Sequence, residues 1–132
     1  MNTETPLSPP VSKAARITGW IMSIVPCLLL VFSGVMKLVK PAGMADGFTH
    51  LGIPFSLANG LGVLELACTV IYLIPRFSVL GAILLTGYLG GATLTHLRIG
   101  EPYFMQPLLG VILWGGLYLR DPRIRDLIPF RK

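Results

Sequence analysis

Four long apolar runs, at residues 17–36, 55–74, 77–97 and 103–119, constrain this chain more than any other feature. A helix of about 20 apolar residues crosses a hydrocarbon core of about 30 Å, and about 17 residues is the lower limit. Only 13% of the residues are charged, whereas a soluble domain carries about 25%. The sequence therefore predicts an all-α membrane protein that folds as an antiparallel four-helix transmembrane bundle.

The segments around these runs set the predicted domain boundaries. Residues 1–15 are polar and rich in proline, which predicts a disordered cytoplasmic tail. Residues 16–126 form the predicted four-helix transmembrane domain, and residues 127–132 form a basic cytoplasmic tail. The first run follows two basic residues, as in a signal peptide, but it exceeds the usual core of about 7–15 residues and lacks a cleavage site. It is therefore predicted to stay as an anchor, kinked at Pro26.

A short helix is predicted between the first two runs. Met44, Phe48 and Leu51 are spaced so that one face of a helix is apolar. Gly52 can end this helix and Pro54 prevents its continuation. The segment is too short to span a membrane, so it is expected to lie in the interface.

The distribution of lysine and arginine predicts the orientation, because these residues are retained on the cytoplasmic side. If the N-terminus is cytoplasmic, the inner segments hold eight of them: Lys13, Arg16, Arg76, Arg120, Arg123, Arg125, Arg131 and Lys132. The outer segments hold three: Lys37, Lys40 and Arg98. Both termini are therefore predicted to be cytoplasmic. The net charge of +5 reflects this topology, and no nucleic-acid partner is expected because no basic face or binding motif is present.

Rows of small and polar residues predict which side of each run faces the bundle. In the third run this row is Gly87, Gly91 and Thr95. In the second run it is Asn59, Gly62, Glu65, Thr69 and Tyr72. In the fourth run it is Tyr103, Gln106, Gly110, Trp114 and Leu117.

Glu65 is the most informative polar residue, because it lies near the middle of the second run. A carboxyl group at that depth costs several kcal/mol unless it is neutral, paired or facing a cavity. It either joins helices through a hydrogen bond to Tyr88 or serves function by binding a polar head group or relaying a proton. Counted along the helices, Lys37 lies about 10 Å further out. We therefore expect a neutral Glu65 that bonds to Tyr88 and does not contact Lys37.

Other polar residues extend the candidate site. Lys37 either reaches the interface or points inward, to neutralise Glu65 or hold an anionic group, and His96 either packs or passes protons. The predicted ligand-binding residues are Lys37, Glu65, Tyr88, His96, Arg98 and Trp114. No metal site is predicted, because Cys27 and Cys68 lie far apart in apolar runs and are expected to be buried hydrophobes. Without a catalytic motif, a self-sufficient enzyme is not expected.

The chain resembles the DoxX-like family of small four-span membrane proteins. The resemblance is carried by the segments 33–38 (SGVMKL), 48–54 (FTHLGIP), 61–66 (LGVLEL) and 93–100 (TLTHLRIG). It implies a multi-pass protein of the bacterial cytoplasmic membrane. Some members are small subunits or partners of membrane oxidoreductase systems, including thiosulfate oxidation linked to quinone, and others in animals are assembly factors for membrane receptors. The polar positions of the family fall on Lys37, Glu65 and His96, without an established catalytic role.

Two functions remain open at this point. The first is an accessory subunit of a membrane redox system that binds a quinone-like or other amphipathic molecule in an intramembrane polar pocket. The second is an assembly or interaction factor whose buried polar residues serve helix packing only. The expected partners are the lipid bilayer and, for the first function, a membrane oxidoreductase, with a homo-oligomer also open. A small transporter is disfavoured because the sequence has no inverted repeat.

The charge bias predicts the outcome of a topology measurement. Reporter domains fused after Arg76 and after Lys132 should give a cytoplasmic signal, and one inserted near Gly43 should give an external signal. A cytoplasmic signal at Gly43 would contradict the four-span arrangement.

Overall fold

Residues 11–127 are described by the computed structural model of the protein, and they form helices and turns. The helices are α1 (Lys13–Val39), α2 (Met44–Leu51), α3 (Ala58–Leu73), α4 (Ser78–Leu97), α5 (Met105–Arg120) and α6 (Pro122–Leu127). Short 3-10 turns, Phe55–Leu57 and Pro75–Phe77, lead into α3 and α4. The short helix predicted between the first two runs is therefore present as α2, and α6 was not predicted.

The helix ends follow from local capping. The side chain of Ser12 accepts a hydrogen bond from the Ala15 amide, so α1 begins at Lys13. Residues 13–15 thus belong to a helix and not to the predicted tail. Residues 1–10 and 128–132, which contain most of both predicted tails, lie outside the described residues. Helix α1 continues through Pro26 and ends at Val39, and the next residue, Lys40, caps it with a left-handed φ of 58°.

Among residues 11–127, three helical segments are long and apolar enough to cross a membrane: Lys13–Val39, Phe55–Leu73 and Pro75–Leu97. Their large apolar side chains face outward, as lipid-facing side chains do; Ile21 is 57% exposed and Ile83 is 55% exposed. Helix α5 has 16 residues, which span about 24 Å at about 1.5 Å per residue. It is shorter than the predicted run because Tyr103 and Phe104 precede the helix.

The four longer helices pack in a ring: α1 contacts α3 and α5, and α4 contacts the same two helices. Glycines allow the closest approaches, because a Cβ on Gly19 would lie 2.6 Å from the Gly116 carbonyl oxygen. A Cβ on Gly62 would lie 2.9 Å from the Gly34 carbonyl oxygen. The start of α1 therefore lies beside the end of α5, and the end of α1 lies beside the start of α3. We call these two ends of the bundle the Arg120 end and the Lys37 end.

The glycine row of α4 faces the interior of the ring but does not pack directly against another helix in the described part of the chain. A Cβ on Gly87 or Gly91 would meet nothing within 4 Å, so this glycine row does not contact another helix among the described residues. The buried face of α4 is instead Ser78, Gly81, Ala82, Leu85 and Leu89. The reason is the ring arrangement: the neighbours of α4 lie on its leucine side, and the glycine side is turned toward α1, which lies across the ring.

The faces of the other two helices were predicted better. The buried residues of α3 are Ala58, Gly62, Glu65, Cys68, Thr69 and Tyr72, which include all of the predicted row except the exposed Asn59. In α5 the buried residues are Leu113, Gly116 and Leu117. Only Leu117 of the predicted row is among them, because the α1 contact at Gly116 rotates this side of α5 inward. Cys27 and Cys68 are buried with free thiols, as expected.

A polar cluster closes the Arg120 end. The Tyr72 hydroxyl donates to the Leu113 carbonyl oxygen at 2.5 Å and lies 3.0 Å from the Ser23 hydroxyl. Arg120 Nε donates to the Ser23 hydroxyl at 2.9 Å. The Arg120 guanidinium also lies 4.0 Å from the centre of the Trp20 ring, a cation–π distance. These contacts join α1, α3 and α5 where the glycines bring them together.

Helix α6 is fastened to the same end. Ile124 is buried, and Arg123 donates to the Pro75 carbonyl oxygen and to the Asp121 carboxylate. Burial alone would raise the pKa of Asp121, but the hydrogen bonds and charge of Arg123 outweigh it and hold the pKa below its usual range. The chain after α5 is therefore tied back to the turn between α3 and α4.

Two glycines of α4 provide a matched test of this packing. A Cβ on Gly81 would lie 2.3 Å from the Tyr72 backbone, whereas a Cβ on Gly90 would meet nothing within 4 Å. Gly81→Ala should lower the free energy of unfolding by about 1–3 kcal/mol through overpacking. Gly90→Ala should leave it unchanged or raise it by up to about 1 kcal/mol through helix propensity. Unfolding in detergent micelles measures both, and equal stabilities would contradict the packing described.

Candidate ligand-binding site

A cavity of about 900 Å³ opens at the Lys37 end of the bundle. It lies where α1 and α4 face each other across the ring, and α2 covers it. Its polar lining comes from Ser33, Lys37, Glu65, Tyr88, Thr95, His96 and Gln106. Its apolar lining includes Leu29, Phe32 and Met36 of α1, Met44, Phe48 and Leu51 of α2, and Met105 and Leu109 of α5. We call this space the Lys37 cavity.

Glu65 lies at the wall of the Lys37 cavity and is 1% exposed. Its Oε1 atom is 2.9 Å from Lys37 Nζ and accepts a hydrogen bond from the Tyr88 hydroxyl at 2.9 Å. The Ser33 hydroxyl donates to the same oxygen at 3.3 Å and accepts from Lys37 Nζ at 2.7 Å. One carboxylate oxygen thus links α1, α3 and α4.

The expected hydrogen bond between Glu65 and Tyr88 is confirmed, but the expectation that Lys37 makes no contact is wrong. In an α-helix each side chain leans toward the N-terminus of its own helix. Helices α1 and α3 run in opposite directions, so Lys37 leans down into the bundle and Glu65 leans up to meet it. A depth estimated from backbone positions alone does not include this leaning of the two side chains toward each other. The Glu65 carboxyl oxygen and the Lys37 ammonium nitrogen lie 2.9 Å apart, which is an ion-pair distance.

His96 also lines the Lys37 cavity, near the end of α4. Its Nδ1 atom lies 2.8 Å from the Ala92 carbonyl oxygen. A carbonyl oxygen only accepts, so Nδ1 donates a hydrogen bond to it. Among residues 11–127, no hydrogen bond reaches Nε2. His96 therefore adds a polar ring nitrogen, Nε2, to the wall of the cavity.

Arg98 and Trp114 lie outside the Lys37 cavity, contrary to the predicted site. Arg98 follows the end of α4, and its guanidinium donates to the Leu51 carbonyl oxygen. Trp114 Nε1 donates to the Thr86 hydroxyl at 2.7 Å, in a separate groove between α4 and α5. The prediction grouped Trp114 with Glu65 because both residues were estimated to lie at the same depth in the membrane. In the structure the two side chains face different sides of the ring.

Ser33 and Gln106 line the cavity but were not predicted as ligand-binding residues. Ser33 lies one helical turn before Lys37, so the spacing alone could have indicated a shared face. Gln106 was placed in the outer polar layer; its Oε1 atom is enclosed and has no hydrogen-bond partner among the described residues. The apolar face of α2 was predicted, but its role as the cover of a cavity was not.

Contacts at its C-terminal end hold α2 over the cavity. His50 Nε2 lies 3.3 Å from the Glu101 carboxylate, and Arg98 bonds to the Leu51 carbonyl oxygen. Gly43 and Gly52 flank the helix with φ values of 90° and 75°, which glycine adopts without strain. These turns set the angle at which the apolar face of α2 meets the cavity.

The ion pair predicts a strong coupling between two substitutions. Lys37→Met leaves a buried carboxylate and Glu65→Gln leaves an unpaired ammonium, so each should lower stability, by on the order of 3–5 kcal/mol for a fully buried pair. The double variant should recover much of the loss. Lys40→Met is the matched control, because Lys40 lies outside the cavity lining, and it should cost less than about 1.5 kcal/mol. Unfolding in detergent measures all four, and additive losses would argue against the pair.

Comparison with known proteins agrees with the membrane fold. A profile of the DoxX-like family matches residues 21–116. No curated protein and no solved structure matches the chain. The match includes α1 from Ile21 onward, α2, α3, α4 and α5 as far as Gly116. It therefore contains every residue that lines the Lys37 cavity, and the chain belongs to the DoxX-like family of membrane proteins.

Proposed function

We propose that the protein binds an amphipathic small molecule in the Lys37 cavity. The observation that carries the proposal is an apolar cavity with a single charged pair, Lys37 and Glu65, at its wall. Small-molecule sites occupy about 300–1,000 Å³ and combine an apolar lining with a few polar groups that orient the ligand. The polar head would meet the ion pair, and the apolar body would lie against α1, α2 and α5.

Four membrane crossings are part of this proposal. Helix α5 is short, but it packs between α1 and α4, both of which are long enough to span. A short span is accommodated by local thinning of the bilayer at modest cost. The eight-to-three distribution of basic residues supports cytoplasmic termini. The Lys37 cavity would then open toward the outer leaflet, in the cytoplasmic membrane of a bacterium.

A redox role follows as the finer part of the proposal. A quinone-like head group in its reduced, quinol form carries hydroxyl groups that accept and donate hydrogen bonds, and Lys37 supplies a donor beside the apolar lining. The protein would act as an accessory subunit that holds such a molecule for a membrane oxidoreductase. The exposed apolar faces of α1 and α4 offer surfaces for that partner or for a second copy of the chain.

One observation favours the alternative, an assembly factor without a ligand. Glu65 Oε1 receives hydrogen bonds from α1 and α4 while it lies on α3. Such a junction can serve only to specify packing, because unsatisfied polar groups are costly in lipid. The two functions differ in one measurable respect, which is whether the cavity of the purified protein holds a molecule.

Filling the cavity separates the two functions. Gly87→Leu should abolish ligand retention without unfolding the protein, because Gly87 lines the cavity and its Cβ position is open. Gly90→Leu is the matched control: it also has an open Cβ position but lies in the groove between α4 and α5. Mass spectrometry of the protein released from nanodiscs should find the ligand in the wild type and in Gly90→Leu only. Equal retention in all three proteins, or none in any, would contradict binding in this cavity.

A further inference from the structure

The two oxygens of the Glu65 carboxylate have different surroundings. Oε1 receives all three hydrogen bonds described above, from Ser33, Lys37 and Tyr88. Within residues 11–127, no hydrogen bond reaches Oε2. Oε2 is also not sealed in the protein, unlike the unpartnered Oε1 of Gln106. Since Glu65 lines the Lys37 cavity, Oε2 is an acceptor left open to that space.

Lys37 leaves a donor open beside it. Its ammonium has three N–H groups, and in the described part of the chain it donates to Ser33 and to Glu65 Oε1. One N–H group is therefore left for another acceptor. The Lys37 side chain is 18% exposed and lines the cavity. A free donor and a free acceptor thus stand next to each other at the cavity wall.

We infer that the head group of the ligand is a hydroxyl group. The hydroxyl oxygen accepts a hydrogen bond from Lys37 Nζ, and the hydroxyl hydrogen is donated to Glu65 Oε2. One hydroxyl group thus pairs with both the free donor and the free acceptor. This inference rests on the proposed ligand binding and specifies the chemistry of that ligand. An amphipathic alcohol and a phenol share this chemistry.

Other head groups fit this wall less well. A carbonyl or ether oxygen would accept from Lys37 but would leave Oε2 without a donor, and an unmet buried acceptor is costly. A cationic head would face the Lys37 ammonium, and an anionic head would face the open carboxylate oxygen. Because Lys37 and Glu65 neutralise each other, a neutral group with both a donor and an acceptor fits best.

Three probes of similar size test the inference: 4-octylphenol, its methyl ether 4-octylanisole, and 1-dodecanol. Their affinities for the full chain in nanodiscs are measured by titration, with empty nanodiscs as the background for partition into lipid. The phenol and the alcohol should each bind about tenfold more tightly than the ether, a difference of about 1.4 kcal/mol. A preference for the phenol alone over the ether also supports the inference and assigns the ligand to the aryl class.

A variant checks that the preference arises at Oε2. In Glu65→Gln the amide oxygen should take the place of Oε1, because three donors surround that position. The amide nitrogen would then face the cavity as a donor, and the preference for hydroxyl over ether should fall below about threefold, against about tenfold for the wild type. Asp46→Asn makes the same chemical change on the exposed side of α2 and should keep the full preference.

The outcomes separate this inference from the proposed function. Equal affinity of the wild type for the phenol and the ether, above the empty discs, overturns the hydroxyl assignment and leaves ligand binding in place. No affinity for any probe above the empty discs overturns the proposed function itself. A preference that persists unchanged in a folded Glu65→Gln variant places the hydroxyl site elsewhere and overturns the assignment to Oε2.

Discussion

The cost of a carboxylate inside a membrane shapes the Lys37 end of this protein. Glu65 cannot remain unpaired at that depth, because lipid offers no hydrogen bonds and little charge stabilisation. Its Oε1 atom therefore accepts hydrogen bonds from Lys37 of α1, which also supplies the opposite charge, and from Tyr88 of α4. These contacts set the relative rotation of three helices. The same contacts leave the second carboxylate oxygen without a hydrogen bond from the described residues. The cavity wall therefore presents a free acceptor, Glu65 Oε2, next to the donor Lys37.

The opposite end of the bundle makes the cavity geometrically possible. At the Arg120 end, Gly19 meets Gly116 and Gly81 meets Tyr72, so the helices approach closely. Lipid-embedded helices gain most of their attraction from such close contacts. The α1–α5 and α3–α4 pairs are therefore closely packed at the Arg120 end, whereas the close glycine contact at the Lys37 end joins α1 and α3, and the cavity lies beside it. The cover of the cavity is a short amphipathic helix, which needs only an apolar face and flanking glycines.

Depth in the membrane indicated which polar residues lie at the same level of the bundle, but not which side of its helix each one occupies. The bond between Glu65 and Tyr88 was expected from equal depth, and it is present. Trp114 was placed beside them by the same argument, but it faces a different groove and bonds to Thr86. The pair with Lys37 was rejected on depth, yet it forms because the two side chains lean toward each other. Depth in the membrane alone does not fix which side of a helix a residue occupies.

The sequence by itself determined the membrane environment, the all-helical fold, the short helix α2 and the identity of the buried carboxylate. Hydropathy and periodicity decide these features because each depends on a contiguous segment and its solvent. Only the tertiary structure decided that the glycines of α4 face a cavity and not a helix, and that one oxygen of Glu65 is left open. These features depend on how four helices are rotated against one another. Side-chain packing between segments that are distant in the sequence sets that rotation, so it cannot be deduced from the sequence of any one segment.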